Sequence, residues 1–289
     1  MSVLAPVAGL VPLVEQYVVH LRRRNCSPVT MSGYSFKLRL WFRWLDSEGI
    51  DDPGPAEVES FLDSRDFGPR SRYHYLSAIS MFYKWALDQD LASSDPTRKI
   101  PRPRLPVGLP RPISEESLLV AIDRADNEVA AMLQLAARAG LRCKEIAGVH
   151  AGRDLSFGLG PATLRVTAPK GHRERDVPLH PDAVEALRVL GAPFDGFLFP
   201  SYPLQNRITP DYTRPAPART ISVKGNQHLH ACGISETMHQ LRHRFGTVLY
   251  QTSKDIRLVQ EMLGHRDLGT TAVYTRVDMT EAAKWVTQI

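Results

Sequence analysis

Cysteine is scarce in this chain. Three occur in 289 residues, at Cys26, Cys143 and Cys232. They are odd in number and far apart, which excludes a disulfide framework. His228, His230 and Cys232 crowd together, but no second Cys/His pair at zinc spacing completes a metal site. Long apolar runs are missing too, and none approaches the ~20 residues that cross a bilayer. The start, Met1-Ser2-Val3-Leu4-Ala5-Pro6, lacks the basic residues and clean apolar stretch of a signal peptide. These absences predict a cytoplasmic protein with no metal and no membrane partner. Acid is absent from one stretch in particular. From Thr97 to Arg111 there are five basic residues, Arg98, Lys99, Arg102, Arg104 and Arg111, and no Asp or Glu. The whole chain carries only +5, so this local excess says more than the total. It reads either as a solvated basic loop or as a strap across a phosphate backbone.

The same stretch holds Pro96, Pro101, Pro103, Pro106, Pro110 and Pro112. Prolines at that density exclude both helix and central strand. Residues 98–112 are therefore an extended basic linker between a domain at 1–97 and another at 113–289. The first domain reads as a bundle of four helices. Ser27-Pro28 starts one of them as N-cap and first-turn proline. Leu38, Trp41, Phe42 and Leu45 follow at helical spacing, and Gly49 ends it. Leu76, Ile79, Tyr83 and Ala86 repeat the pattern, and shorter helices cover about 10–24 and about 55–64. Trp41, Phe42, Trp44, Phe82 and Trp85 read as core, and Lys37 and Arg72 belong to a basic surface. In the second domain, helices at about 127–139 and from Leu141 flank Gly140. Two short strands, 163–167 and 175–179, bracket a turn at Pro169-Lys170-Gly171-His172. Helices resume at about 181–190 and from about 236 to the end. The fold class is mainly α with one small β-sheet.

Several polar residues sit in chemically useful places. Arg142 opens a helix, where free N–H groups suit a phosphate, and Glu145 lies on the same face. Lys170 occupies a hairpin turn. His239 and Arg242 are three apart on a helix, so the guanidinium disfavours a charged imidazole. Gly264 caps a helix and hands the chain to His265, and Tyr274 follows nine residues later. Singly, each has an ordinary reading: surface ion pair, turn lysine, structural histidine, packing tyrosine.

Jointly and in order, these residues resemble the signature of the tyrosine recombinases, or phage integrase family. The matching strings are Ala139-Gly140-Leu141-Arg142-Cys143-Lys144-Glu145-Ile146, Lys170 before Val177-Pro178-Leu179, His239-Gln240-Leu241-Arg242-His243, Leu263-Gly264-His265 and Thr270-Thr271-Ala272-Val273-Tyr274-Thr275. The resemblance implies a four-helix core-binding domain followed by a catalytic domain. It further implies a site-specific recombinase that cuts and rejoins double-stranded DNA through a 3′-phosphotyrosyl intermediate. Tyr274 would be the nucleophile, with Arg142 and Arg242 clamping the phosphate, His239 moving the tyrosyl proton and His265 bonding the phosphate. Lys170 would be general acid and Glu145 a supporting residue. Arg98, Lys99, Arg102, Arg104, Lys37 and Arg72 are the candidate DNA contacts. The chemistry needs no metal or nucleotide cofactor.

Arg244 departs from the small or hydroxyl residue more usual after His243. The short N-terminus suggests a compact enzyme without an arm-binding domain, a phage or mobile-element integrase, with a Xer-like dimer resolvase as the alternative. The amphipathic tail, 278–289, suggests a homotetramer on DNA in the bacterial nucleoid, with room for an accessory directionality factor. A type IB topoisomerase and a DNA-binding regulator without catalysis are the competing classes.

Overall fold

The structure is a computed structural model and describes residues 10–105, 112–158, 160–167, 174–191, 193, 195–203 and 208–265. Lys170, Tyr274, Arg111 and the tail at 278–289 lie outside the described residues. The chain divides into two compact units, Met1–Val107 and Gly108–Ile289. No helix among the described residues is long and apolar enough to cross a membrane.

The first unit holds α1 (Leu10–Arg23), α2 (Pro28–Glu48), α3 (Pro55–Asp63) and α4 (Pro69–Asp88). Ser27 caps α2 by accepting the Thr30 N–H at 3.1 Å, Pro28 sits in the first turn, and Gly49 ends the helix at φ 66°. Leu38, Trp41, Phe42 and Leu45 point into the core with Ile79, Phe82, Tyr83 and Ala86 of α4. Four of the five aromatic residues expected inside are buried, and Trp44 packs half-buried against them. Ile100 from the basic stretch also packs on this core. Arg102 lies over the Tyr73 ring at 5.6 Å and reaches the Ser77 hydroxyl at 3.3 Å.

The second unit is built around α6 (Asn127–Arg138), which is buried along nearly its whole length from Val129 to Ala137. A helix apolar nearly all round is buried in this way, and Gln134 is the polar side chain within the buried stretch. Packed on it are α5 (Glu115–Asp123), α9 (Pro181–Leu190), α10 (Ala218–Ala231) and α11 (Met238–Ser253). The short α7 (Cys143–Ala147) and α8 (Ala151–Asp154) follow α6 in the chain, and α12 (Ile256–Leu263) follows α11. An antiparallel sheet runs β1 (Leu155–Ser156), β2 (Thr163–Val166), β3 (Arg175–Pro178), with Leu164 opposite Val177 and Val166 opposite Arg175.

A second sheet, β4 (Pro200–Ser201) with β5 (Asp211–Pro215), corrects the expectation of a single one. The polar stretch after Ser201 also contains α10, so helix resumes well before residue 236. In α10 the buried stripe is only Ile221, Gly225 and Leu229, and Gly225 makes room for the Met238 side chain. The apolar period is therefore interrupted at its centre, where packing needs a residue without a side chain.

Candidate active site

The site starts where α6 stops. Gly140 adopts φ 65°, a conformation that other residues enter at a cost. The turn makes Arg142 the N-cap of α7 and Glu145 its third residue. Glu145 accepts the Arg142 backbone N–H at 2.7 Å and the Arg142 Nη1 at 2.9 Å. The pair expected on one helical face is thus a capping arrangement, with the carboxylate folded back over the helix start.

Two further guanidiniums reach the same carboxylate. Arg175 of β3 spans it as a fork, Nη1 to Oε1 at 3.0 Å and Nη2 to Oε2 at 3.1 Å. Arg242 of α11 reaches Oε2 from 3.4 Å. Arg242 also donates to the Gly140 carbonyl and, at 2.6 Å, to that of Leu263. Arg142 approaches the Leu263 oxygen at 3.4 Å, and Arg175 Nε donates to Met262 O at 2.8 Å. Carbonyls in the last turn of a helix lack intrahelical partners and carry its negative end, so the end of α12 suits guanidinium donors. Gly264, at φ 63°, then turns the chain to His265.

Burial separates the three arginines. The Arg242 and Arg175 side chains are 3% and 5% exposed, whereas Arg142 is 36% exposed and opens to solvent. Burial pushes the Glu145 carboxyl up, but hydrogen bonds and charge from Arg175, then Arg242 and the Arg142 N–H, hold it below the usual range. It is therefore ionised. Beside Arg142 and Glu145, a cavity of about 400 Å³ is lined also by Lys144, Asp154, Arg165 and Thr167.

Three imidazoles complete the cluster. His239 and His243 sit one turn apart on α11, with ring centroids 4.5 Å apart and planes at 79°. Burial, then Arg242 and Arg142, lowers the His239 pKa. Burial, then His239 and Arg242, takes His243 to about 4. His265 also falls to about 4, from burial and then Arg242 and Arg142. All three are neutral at pH 7 and able to accept a proton.

The structure thus brings together five expected residues, Arg142, Glu145, His239, Arg242 and His265. It adds two that sequence reasoning did not single out as site residues, Arg175 and His243. Arg175 carried a signal: the strand alternation places it inward with Val177 while Asp176 and Pro178 face out, and an arginine on a buried face demands a partner. Arg244 is a separate matter. It is buried and paired with Glu115, which also binds Arg138 at 2.7 Å. Of the expected DNA contacts, Arg98, Lys99, Arg102 and Arg104 are exposed. Lys37 instead donates to the Gly33 carbonyl at 3.2 Å, and Arg72 is tied to Asp63 at 2.6 Å and to the Leu62 carbonyl at 3.0 Å. Among the described residues no group of three or more His, Cys, Asp or Glu is arranged to hold a metal. His228 is instead bonded to the Ala121 carbonyl at 2.7 Å.

Residues 113–281 match the phage integrase family, and residues 14–90 match the phage integrase N-terminal SAM-like domain. The chain is 32% identical to tyrosine recombinase XerC of Azotobacter vinelandii, over 93% of each chain. It is also 32% identical to tyrosine recombinase XerD of Yersinia pestis, over 92% of this chain and 93% of that one. Its fold is similar to that of a lambda integrase tetramer bound to a Holliday junction, with TM-score 0.68 and 18% identity over 89% of this chain and 77% of that chain. The chain belongs to the phage integrase family, the tyrosine recombinases.

Proposed function

We propose that this protein is a site-specific recombinase that cuts and rejoins duplex DNA, with Tyr274 as nucleophile and the Glu145-centred cluster as its phosphate site. The observation that carries the reading is the convergence of Arg142, Arg175 and Arg242 on one carboxylate beside three neutral imidazoles. Such a surplus of guanidinium stabilises the charge that develops on a five-coordinate phosphorus. The Tyr274 oxygen attacks phosphorus and displaces the 5′-oxygen, leaving the 3′ end joined to tyrosine. His239 takes the tyrosyl proton, and Lys170 supplies one to the departing 5′-oxygen, which leaves as a hydroxyl. Arg142, open to solvent, meets a non-bridging oxygen first. Arg242, held by the Gly140 and Leu263 carbonyls, backs it and meets the second. His265 bonds the same phosphate. Attack by the free 5′-hydroxyl of another strand reverses the step and rejoins the DNA, so the bond energy is conserved.

The biological task we assign is Xer-like resolution rather than phage integration. The XerC and XerD relatives support that alternative better than the integrase reading favoured by the sequence alone. Subunits act as a tetramer on DNA, in keeping with the lambda integrase tetramer bound to a Holliday junction, and the amphipathic sequence at 278–289 is the segment we assign to joining them. The decisive assay selects bound duplexes from a randomised library and then offers the selected site as a nicked suicide substrate. The expected result is a denaturant-resistant protein–DNA adduct that Tyr274→Phe abolishes. No adduct, or one that survives the substitution, overturns the proposal. Two identical copies of the site in one circle resolve into two circles; a requirement for two unlike sites returns the integrase reading.

A further inference from the structure

We propose that Arg175 is a positioning residue for this reaction: it fixes Glu145, and through it Arg142 and Arg242, while locking the Gly264 turn that carries His265. The proposal rests on the reading of the Glu145 cluster as the phosphate site.

The geometry is one of competition for a single carboxylate. Oε1 accepts Arg142 Nη1 at 2.9 Å and Arg175 Nη1 at 3.0 Å; Oε2 accepts the Arg142 N–H at 2.7 Å, Arg175 Nη2 at 3.1 Å and Arg242 Nη1 at 3.4 Å. A carboxylate offers about four lone-pair directions. Arg175 fills two of them from the side of β3. Without it, Glu145 swings toward Arg142 and Arg242 and draws both guanidiniums out of the orientation that faces phosphate.

The third donor of Arg175 does a different task. Its Nε is bonded to Met262 O at 2.8 Å, so the β3 side chain pins the last turn of α12. A Cβ built at Gly264 would lie 2.7 Å from Arg175 Nη1. The guanidinium therefore packs against the bare face of the turn that sets where His265 begins. Nε, Nη1 and Nη2 of Arg175 are all engaged by Met262 and Glu145, and no phosphate contact is assigned to it. Lysine cannot replace it: one ammonium does not span two carboxylate oxygens and a carbonyl at once.

The test uses the full chain with Arg175→Lys and Arg175→Ala. Single-turnover cleavage of the nicked duplex and equilibrium binding of the same duplex are measured side by side. Both variants are expected to bind within about threefold of wild type and to cleave about a hundredfold more slowly, the size expected for an ångström-scale misplacement. Retained charge in Arg175→Lys does not rescue the rate. Cleavage by Arg175→Lys at the wild-type rate, or a loss of binding equal to the loss of cleavage, overturns the proposal. If Arg175→Ala fails to fold, Arg175→Lys carries the test.

A second readout needs no DNA. In nuclear magnetic resonance spectra, Arg175→Lys is expected to shift the His265 ring signals and the Arg142 and Arg242 Nε–H signals, with the Arg244 Nε–H unmoved. Unchanged His265 and Arg142 signals overturn the positioning role. Wild-type protein that forms no adduct overturns the functional reading instead, and the spectra then decide Arg175 alone.

Discussion

At residue scale the imidazoles of His239, His243 and His265 sit where a proton is unwelcome. Burial comes first in holding them neutral, followed by the arginines for His239 and His265 and by His239 and then Arg242 for His243. In the unfolded chain these rings take up protons near pH 6.5, whereas folded His243 and His265 do so only at about 4. Between those values the unfolded state binds more protons, so stability falls as pH is lowered through that window. Denaturant melts at pH 7, 5.5 and 4.5 are expected to show this slope, and His265→Asn to flatten it. An equal slope in the variant removes His265 as a cause. Glu145 acts lower, because its folded pKa lies beneath its ordinary one: its contribution is intact above about pH 4.5 and is lost as pH falls through the folded value.

Elements bring these side chains together, and the turns between elements carry the precision. At Gly140 a Cβ would lie 2.4 Å from the Phe245 ring, and the backbone is already left-handed. Gly140→Ala is expected to cost about 1–3 kcal/mol in strain and contact. Because the Gly140 carbonyl holds Arg242, cleavage should fall further than the loss of folded protein explains. Thermal melts and cleavage rates on the same samples check both.

The ion pair between α11 and α5 gives another test. Arg244 is buried, and Glu115 on α5 is its partner. Glu115→Ala removes the carboxylate from Arg244 and one of the two carboxylates on Arg138, and is expected to destabilise by roughly 1–3 kcal/mol. Arg244→Met removes charge and desolvation together and should cost less. The reverse order in urea melts would show that the pair contributes little.

What was legible follows the same division. Helices α2 and α4 stood out because each has one uninterrupted apolar stripe. Arg142, Glu145, His239, Arg242 and His265 were readable only jointly, through ordered motifs that resemble those of the tyrosine recombinases, since each alone has an ordinary structural reading. The sheet of β4 and β5 and the helix α10 were not, because short polar strands and a stripe broken at Gly225 leave no period to detect. Arg175 became a site residue only in three dimensions. It sits 30 residues from Glu145 and 87 from Met262, and no local pattern joins those positions.

At the scale of the whole molecule, one carboxylate facing three guanidiniums has a thermodynamic consequence. Cation in excess repels itself, and that repulsion is carried by the folded chain and not by the unfolded one. Any oxyanion that settles against Arg142 is therefore a ligand of the native state, and mass action converts its occupancy into folding free energy. Sulfate is expected to raise the melting temperature more than chloride at equal ionic strength. Part of that rise comes from the exclusion of sulfate from protein surfaces in general. The part belonging to the site should vanish in Arg142→Ala, and an undiminished rise would deny it. On this account the backbone of DNA is a folding ligand as well as a substrate, and the protein is most durable when holding the bond it is built to break.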